Sequence, residues 1–206
     1  MTDCIRFLLI LTFCSNTFYL KAQTEDKNML AFKYFKVYPS ASSHEELTLQ
    51  IEKATNAKRD TLIHHTDSTA FYYRGFTTFF NPFQMPVKEI EIQIREGQGE
   101  KDVKFGSKTL LLIMEVIAIT DSTRNSKLQV SAEYRKLKNE LSASFTAHPG
   151  LKSKRKSSRP FEHITFSSTQ TNFKNIFLSW GGHYKYVNTH CLSLSFLFEM
   201  FTDNKN

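Results

Sequence analysis

Four segments of the chain alternate apolar and polar residues with a period of two, the mark of strands that bury one face. Ile90, Ile92 and Ile94 alternate with Glu89, Glu91, Gln93 and Arg95. Leu128, Val130, Ala132 and Tyr134 alternate with Gln129, Ser131 and Glu133. Leu141, Ala143, Phe145 and Ala147 alternate with Ser142, Ser144 and Thr146. Leu192, Leu194, Phe196, Phe198 and Met200 alternate with Ser193, Ser195 and Glu199. The run from Leu110 to Ile119 is apolar on both faces, and its β-branched residues favour a central strand.

Turn signals punctuate these runs. Gly181-Gly182 separates two β-rich stretches and predicts a tight hairpin, with Trp180 and His183 on paired strands. Thr120 to Ser126 predicts a turn after the central strand, and Gly97-Gln98-Gly99 a turn after the Ile90–Ile94 strand. Asn81-Pro82 and His148-Pro149-Gly150 read as loops. Residues 43–58 fit both periods. Ser43 with Glu46 forms a capping-box pattern, and Leu47, Ile51 and Ala54 have helical spacing. Leu47, Leu49 and Ile51 also alternate, and the β-rich surroundings favour a strand. The pattern as a whole predicts a mainly β chain, an antiparallel sandwich or small barrel-like domain with one or two helices, and an α+β layout as the alternative. No sequence repeat stands out.

The first residues have a different character. Arg6 precedes the apolar run Phe7–Phe13, which weakens towards Leu20 and gives way to polar Gln23–Lys27. A basic start, a short apolar stretch and a small residue before a polar segment are the parts of a secretory signal, with cleavage after Ala22. Ser15, Asn16 and Thr17 interrupt the run too early for a transmembrane helix. Lipidation at Cys14 is the alternative, with Phe13 where lipid-attachment signals carry a small residue. The leader ending in Ala-Gln resembles the export signals of Gram-negative bacteria. This places residues 1–22 as a signal peptide and 23–206 as one β-rich domain in the periplasm, on the cell surface or outside the cell.

Export changes the meaning of composition. Cys4 and Cys14 belong to the leader, so only Cys191 would remain and the fold would rest on its hydrophobic core rather than on disulfides. No Asn-x-Ser/Thr acceptor occurs, as suits a bacterial chain. Loss of the leader lowers the net charge from +7 to about +6. The densest cationic stretch is Lys152, Lys154, Arg155, Lys156 and Arg159, with no acidic residue between Glu140 and Glu162. Outside the cytoplasm this candidate anion-binding run would meet lipid phosphates or acidic polysaccharide, and without interleaved aromatics it does not predict a nucleic-acid partner.

Phe71, Tyr72, Tyr73 and Phe76 open an aromatic stretch that continues through Phe79 and Phe80 to Phe83. They form a candidate aromatic binding surface for a protein, glycan or lipid, with peripheral membrane contact included.

Catalytic motifs are missing from the sequence. There is no G-x-x-x-x-G-K, no G-x-G-x-x-G and no G-x-S-x-G, and no cofactor is expected. His44-Glu45-Glu46 opens like a zinc-protease helix, but Thr48 stands where the second His is needed, and no metal site is expected. His190 and Cys191 would face opposite sides of a strand. Glu89 and Glu91 share the polar, solvent-facing side of theirs. Among scattered residues, Glu162, His163 and His183 are the set an enzyme would assemble. The leading expectation is therefore an exported binding domain. A small outer-membrane β-barrel and an enzyme with a dispersed site are the alternatives.

Overall fold

The computed structural model describes residues 30–37, 44–60, 72–101, 108–150, 160–167, 173–182 and 189–201. The predicted leader, residues 1–22, lies outside them. Residues 30–35 form a short helix, α1, which ends at Lys36 in the left-handed region (φ 58°). Helix α2 spans His44–Thr55 and stops at Asn56, also left-handed, a residue that tolerates this conformation. Three strands follow: β1 (Lys58–Arg59), β2 (Tyr72–Thr77) and β3 (Glu89–Lys101). The central strand β4 (Lys108–Ile119) leads into helix α3 (Arg124–Ser142). The chain closes with β5 (Thr146–Pro149), β6 (Pro160–Ser167), β7 (Phe173–Gly182) and β8 (His190–Phe201).

The expected mainly β, antiparallel class holds. All eight strands join one sheet in the order β1-β2-β3-β4-β8-β7-β6-β5, and it is not closed into a barrel. There is no second sheet among the described residues. The helices take its place and cover one face. Each half of the chain is a helix followed by a four-stranded meander, α2 with β1–β4 and α3 with β5–β8. The halves meet where β4 pairs antiparallel with β8, Thr109 opposite Phe201 through Ile119 opposite Cys191. This repeat of architecture has no counterpart visible in the sequence.

Alternation places the core. Ile90, Ile92 and Ile94 of β3, Leu112, Met114, Val116 and Ala118 of β4, and Leu192, Leu194, Phe196 and Phe198 of β8 all point to the helices and are buried. Tyr34 and Phe35 of α1 close over the centre, their rings 6.0 and 5.6 Å from that of Phe196. Phe83, from the connection after β2, packs at a tilt against Tyr34, the ring centroids 5.8 Å apart. Each fully buried side chain of this size contributes about 1.5–3 kcal/mol, so the ladder of β3, β4 and β8 dominates the stability.

Two expected strands are helices. In α2, Leu47, Thr48, Ile51 and Thr55 are buried while Leu49 is 56% exposed, which a strand would not allow. In α3, Val130, Tyr134, Leu137 and Leu141 line the buried stripe, and Leu128 is exposed. Val130 and Tyr134, four apart, satisfy both periods, and Leu137 and Leu141 decide for the helix. Thr123 caps it, its hydroxyl accepting from the Ser126 N–H at 3.1 Å. Of the segment 141–147, only its end joins β5.

Three expected turns lie inside strands. Gly181 and Gly182 continue β7, paired with Cys191 and His190, so no hairpin turn falls on them. Gly97 and Gln98 pair with Leu111 and Leu110, and the ladder shifts register between Gln98 and Lys101. His148 and Pro149 extend β5 against Thr165 and Ile164.

Candidate functional site: the open face of the sheet

Since α1, α2 and α3 share one face, no described element lies over the other. Among the described residues that face is open; it carries the alternate residues of every strand, of which Glu91, Ile117, Ile119, Cys191 and Ser195 are buried. Its two halves differ in chemistry.

The β2–β3 side holds buried charge. Arg74 of β2 is 2% exposed and Glu91 of β3 is 0% exposed. The Arg74 Nε–H donates to Glu91 in a short ion pair, and Nη1 reaches Asp60 Oδ2 at 3.2 Å. Gln93 donates to Glu91 Oε1 at 2.6 Å. The guanidinium lies 4.7 Å from the centroid of the Phe76 ring. Alternation correctly gives the face on which Glu91 lies, but not its depth: the expected solvent-facing carboxylate is a buried one. Next to this network the Glu89 carboxyl is pushed up by burial and by the Glu91 charge, with Lys88 and Arg74 acting against that shift.

Across β4, β8 and β7 the face is more apolar. Glu115 accepts from Ser193 Oγ at 2.5 Å and pairs with Arg95 Nη2 at 3.1 Å. Ile117, Ile119 and Cys191 form a small buried cluster. Leu111, Ile113 and Leu197 are half-buried. Phe177 of β7 is 37% exposed. Its cross-strand partners are Thr165 and Ser195, both small, so the ring stands above its neighbours.

The residues singled out by sequence scatter. Lys152, Lys154, Arg155, Lys156 and Arg159 fall between β5 and β6, outside the described residues, as does Phe71. Tyr72 pairs with Arg95 in the ladder. Tyr73 points to the helices and is buried, so it offers no ring to a ligand. It rests on Gly75, where a Cβ would sit 2.8 Å from the Tyr73 ring carbon Cζ. Of the four aromatics, Phe76 alone is described on the open face, half-buried against the Arg74 guanidinium.

The enzyme set is not assembled. Glu162 turns to the helices and faces Lys138 at 3.7 Å, whereas His163 turns the other way and packs over Gly150. His183 lies outside the described residues. At the edge, His148 Nε2 meets Ser167 Oγ at 2.8 Å, but both belong to an exposed strand pair and no described carboxylate orients the imidazole. Among the described residues no three His, Cys, Asp or Glu side chains converge as metal ligands, and no helix is long and apolar enough to cross a membrane.

Sequence reasoning missed the Arg74–Glu91 pair, the Arg95–Glu115–Ser193 row and Phe177. Phe177 carried a usable signal: it is a large ring at the polar phase of Ile176–Leu178–Trp180. Comparisons with protein-family models, with curated proteins and with solved structures found no match.

Proposed function

We propose that the chain is an exported binding domain that takes a folded protein partner on the open face of its sheet. The observation that carries this is Phe177, held above small neighbours beside half-buried Ile113 and Leu197 and the Arg95–Glu115 pair. An aromatic anchor within an apolar patch, bordered by charge, has the composition of a protein interface. Single exposed hydrophobic residues are ordinary, but a ring raised on an interior strand of a broad sheet face is placed where a partner would cover it. Strand spacing of about 4.8 Å gives eight strands a width of about 35 Å, enough for the roughly 800 Å² per partner that a specific complex needs. The leader-like first residues support export, and they make the partner an envelope or extracellular protein.

The open sheet lacks the closure of an outer-membrane barrel, and its apolar face is already covered by helices. Fractionation of the host should find the chain starting at Gln23 in the envelope or medium. An immobilised chain should retain one defined envelope protein, and Phe177→Asp should weaken that complex at least about 100-fold, as for a central aromatic anchor. An intact Met1 in the cytosol would overturn export. A complex indifferent to Phe177→Asp would overturn the assigned face.

A further inference from the structure

The two long helices run in opposite directions, and each places cations at the same end of the sheet; the further cations of α3 include Lys136 and Lys138, which pair with Glu140 and Glu162. Helix α2 runs towards the end where β2 stops and β3 starts, with Glu45 and Glu46 in its first turn and Lys53 in its last. That order suits the helix dipole. Helix α3 starts at this same end and has no acidic residue in its first turn. Arg124 and Lys127 stand there instead, both exposed, where they oppose the positive end of the helix.

Other elements add to the same end. Lys58 of β1 and Lys88, just before β3, are exposed. Lys36 reaches across from α1, its Nζ 5.7 Å from the centroid of the Phe80 ring. Neighbouring Phe79 is 76% exposed, the most exposed large apolar side chain among the described residues. The acidic side chains at this end include Glu52, which pairs with Arg59 at 3.0 Å, half-buried Glu89 and exposed Asp121, while Glu45, Glu46 and Glu140 lie towards the opposite end. The cations spread from β1 to β8, a distance of about 19 Å at one strand spacing each. A single phosphate pocket would gather them. A line of cations with one protruding aromatic ring fits a plane of negative charge with an apolar layer beneath it.

We propose that this end of the sheet docks on an anionic lipid surface, with Lys36, Lys58, Lys88, Arg124 and Lys127 facing headgroup phosphates and Phe79 entering the interface. It requires nothing of the open face, and variants at this end leave that face intact, so the two readings can fail separately. The test is co-sedimentation of the full chain with vesicles of phosphatidylglycerol mixed into phosphatidylcholine, against phosphatidylcholine alone. Binding is expected for the anionic vesicles, with loss as salt rises. Arg124→Gln combined with Lys127→Gln should weaken it by about tenfold or more, and Phe79→Ser should weaken it further at unchanged charge. The double variant removes cations from a helix N-terminus, so its melting temperature should hold or rise, which separates lost docking from lost folding. Absence of vesicle binding, or binding equal in wild type and both variants, would overturn the proposal. So would complete competition by inorganic phosphate, or retention on duplex DNA without vesicle binding.

Discussion

Replacing Glu91 by alanine removes the carboxylate that faces the buried Arg74 guanidinium. The expected cost is about 3 kcal/mol, measured by urea unfolding, because the buried guanidinium loses its buried carboxylate partner and is left with Asp60 at the edge of the network. Replacing Arg74 and Glu91 together by apolar residues of similar volume should cost far less. Gly75→Ala acts through a neighbour, since the new methyl group drives Tyr73 out of its place. A loss of about 1–3 kcal/mol is expected. His190 gives the fold a pH dependence. Burial, then the Lys127 charge, lowers its pKa, and a backbone hydrogen bond with Ser122 acts the other way. Above the ordinary imidazole pKa of about 6.5 both folded and unfolded chains hold it neutral. As pH falls below that value the unfolded chain takes up the proton first, so stability drops. The melting temperature should fall between neutral pH and pH of about 5, and His190→Gln should flatten that slope. These buried polar groups were poorly legible in the sequence. Period-two alternation assigns a residue to a face, while depth depends on strands distant in the chain.

At the scale of elements, the strands with a strict two-residue period were legible and the helices were not. Strands β3 and β8 each carry enough consecutive apolar phases to exclude a helix, whereas β4 is apolar on both faces and only its β-branched residues favour a strand. In α3 the apolar positions Val130 and Tyr134 serve either period, and the deciding Leu137 and Leu141 lie beyond the alternating window. The Thr123 cap was the available local signal. Thr123→Ala should destabilise the protein by about 1 kcal/mol in thermal unfolding. The same measurement on Lys127→Glu should show a gain, because an acid at that helix end agrees with the dipole. The glycine pairs misled for a different reason. Gly181, Gly182 and Gly97 pair in the ladder as ordinary strand residues, so their backbone freedom is not used for turns.

At the scale of the whole molecule, the described residues form two helix-plus-meander halves joined through β4 and β8, with the described helices on one side. The antiparallel β class could be read from the sequence, but the single open sheet could not, because alternation looks the same whether a second sheet or a layer of helices covers the apolar face. The candidate site was still less legible. It emerges where β3, β4, β8 and β7 lie side by side, bringing Arg95, Glu115, Ser193 and Phe177 together from separate stretches of chain. Site-specific photo-crosslinking in the host tests this arrangement most directly, with a photoreactive residue at position 177 on the open face and a second at position 49 on the exposed side of α2. The account predicts one defined protein adduct from position 177, lost on Arg95→Glu, and none from position 49. Adducts from both positions alike, or from position 49 alone, would contradict it.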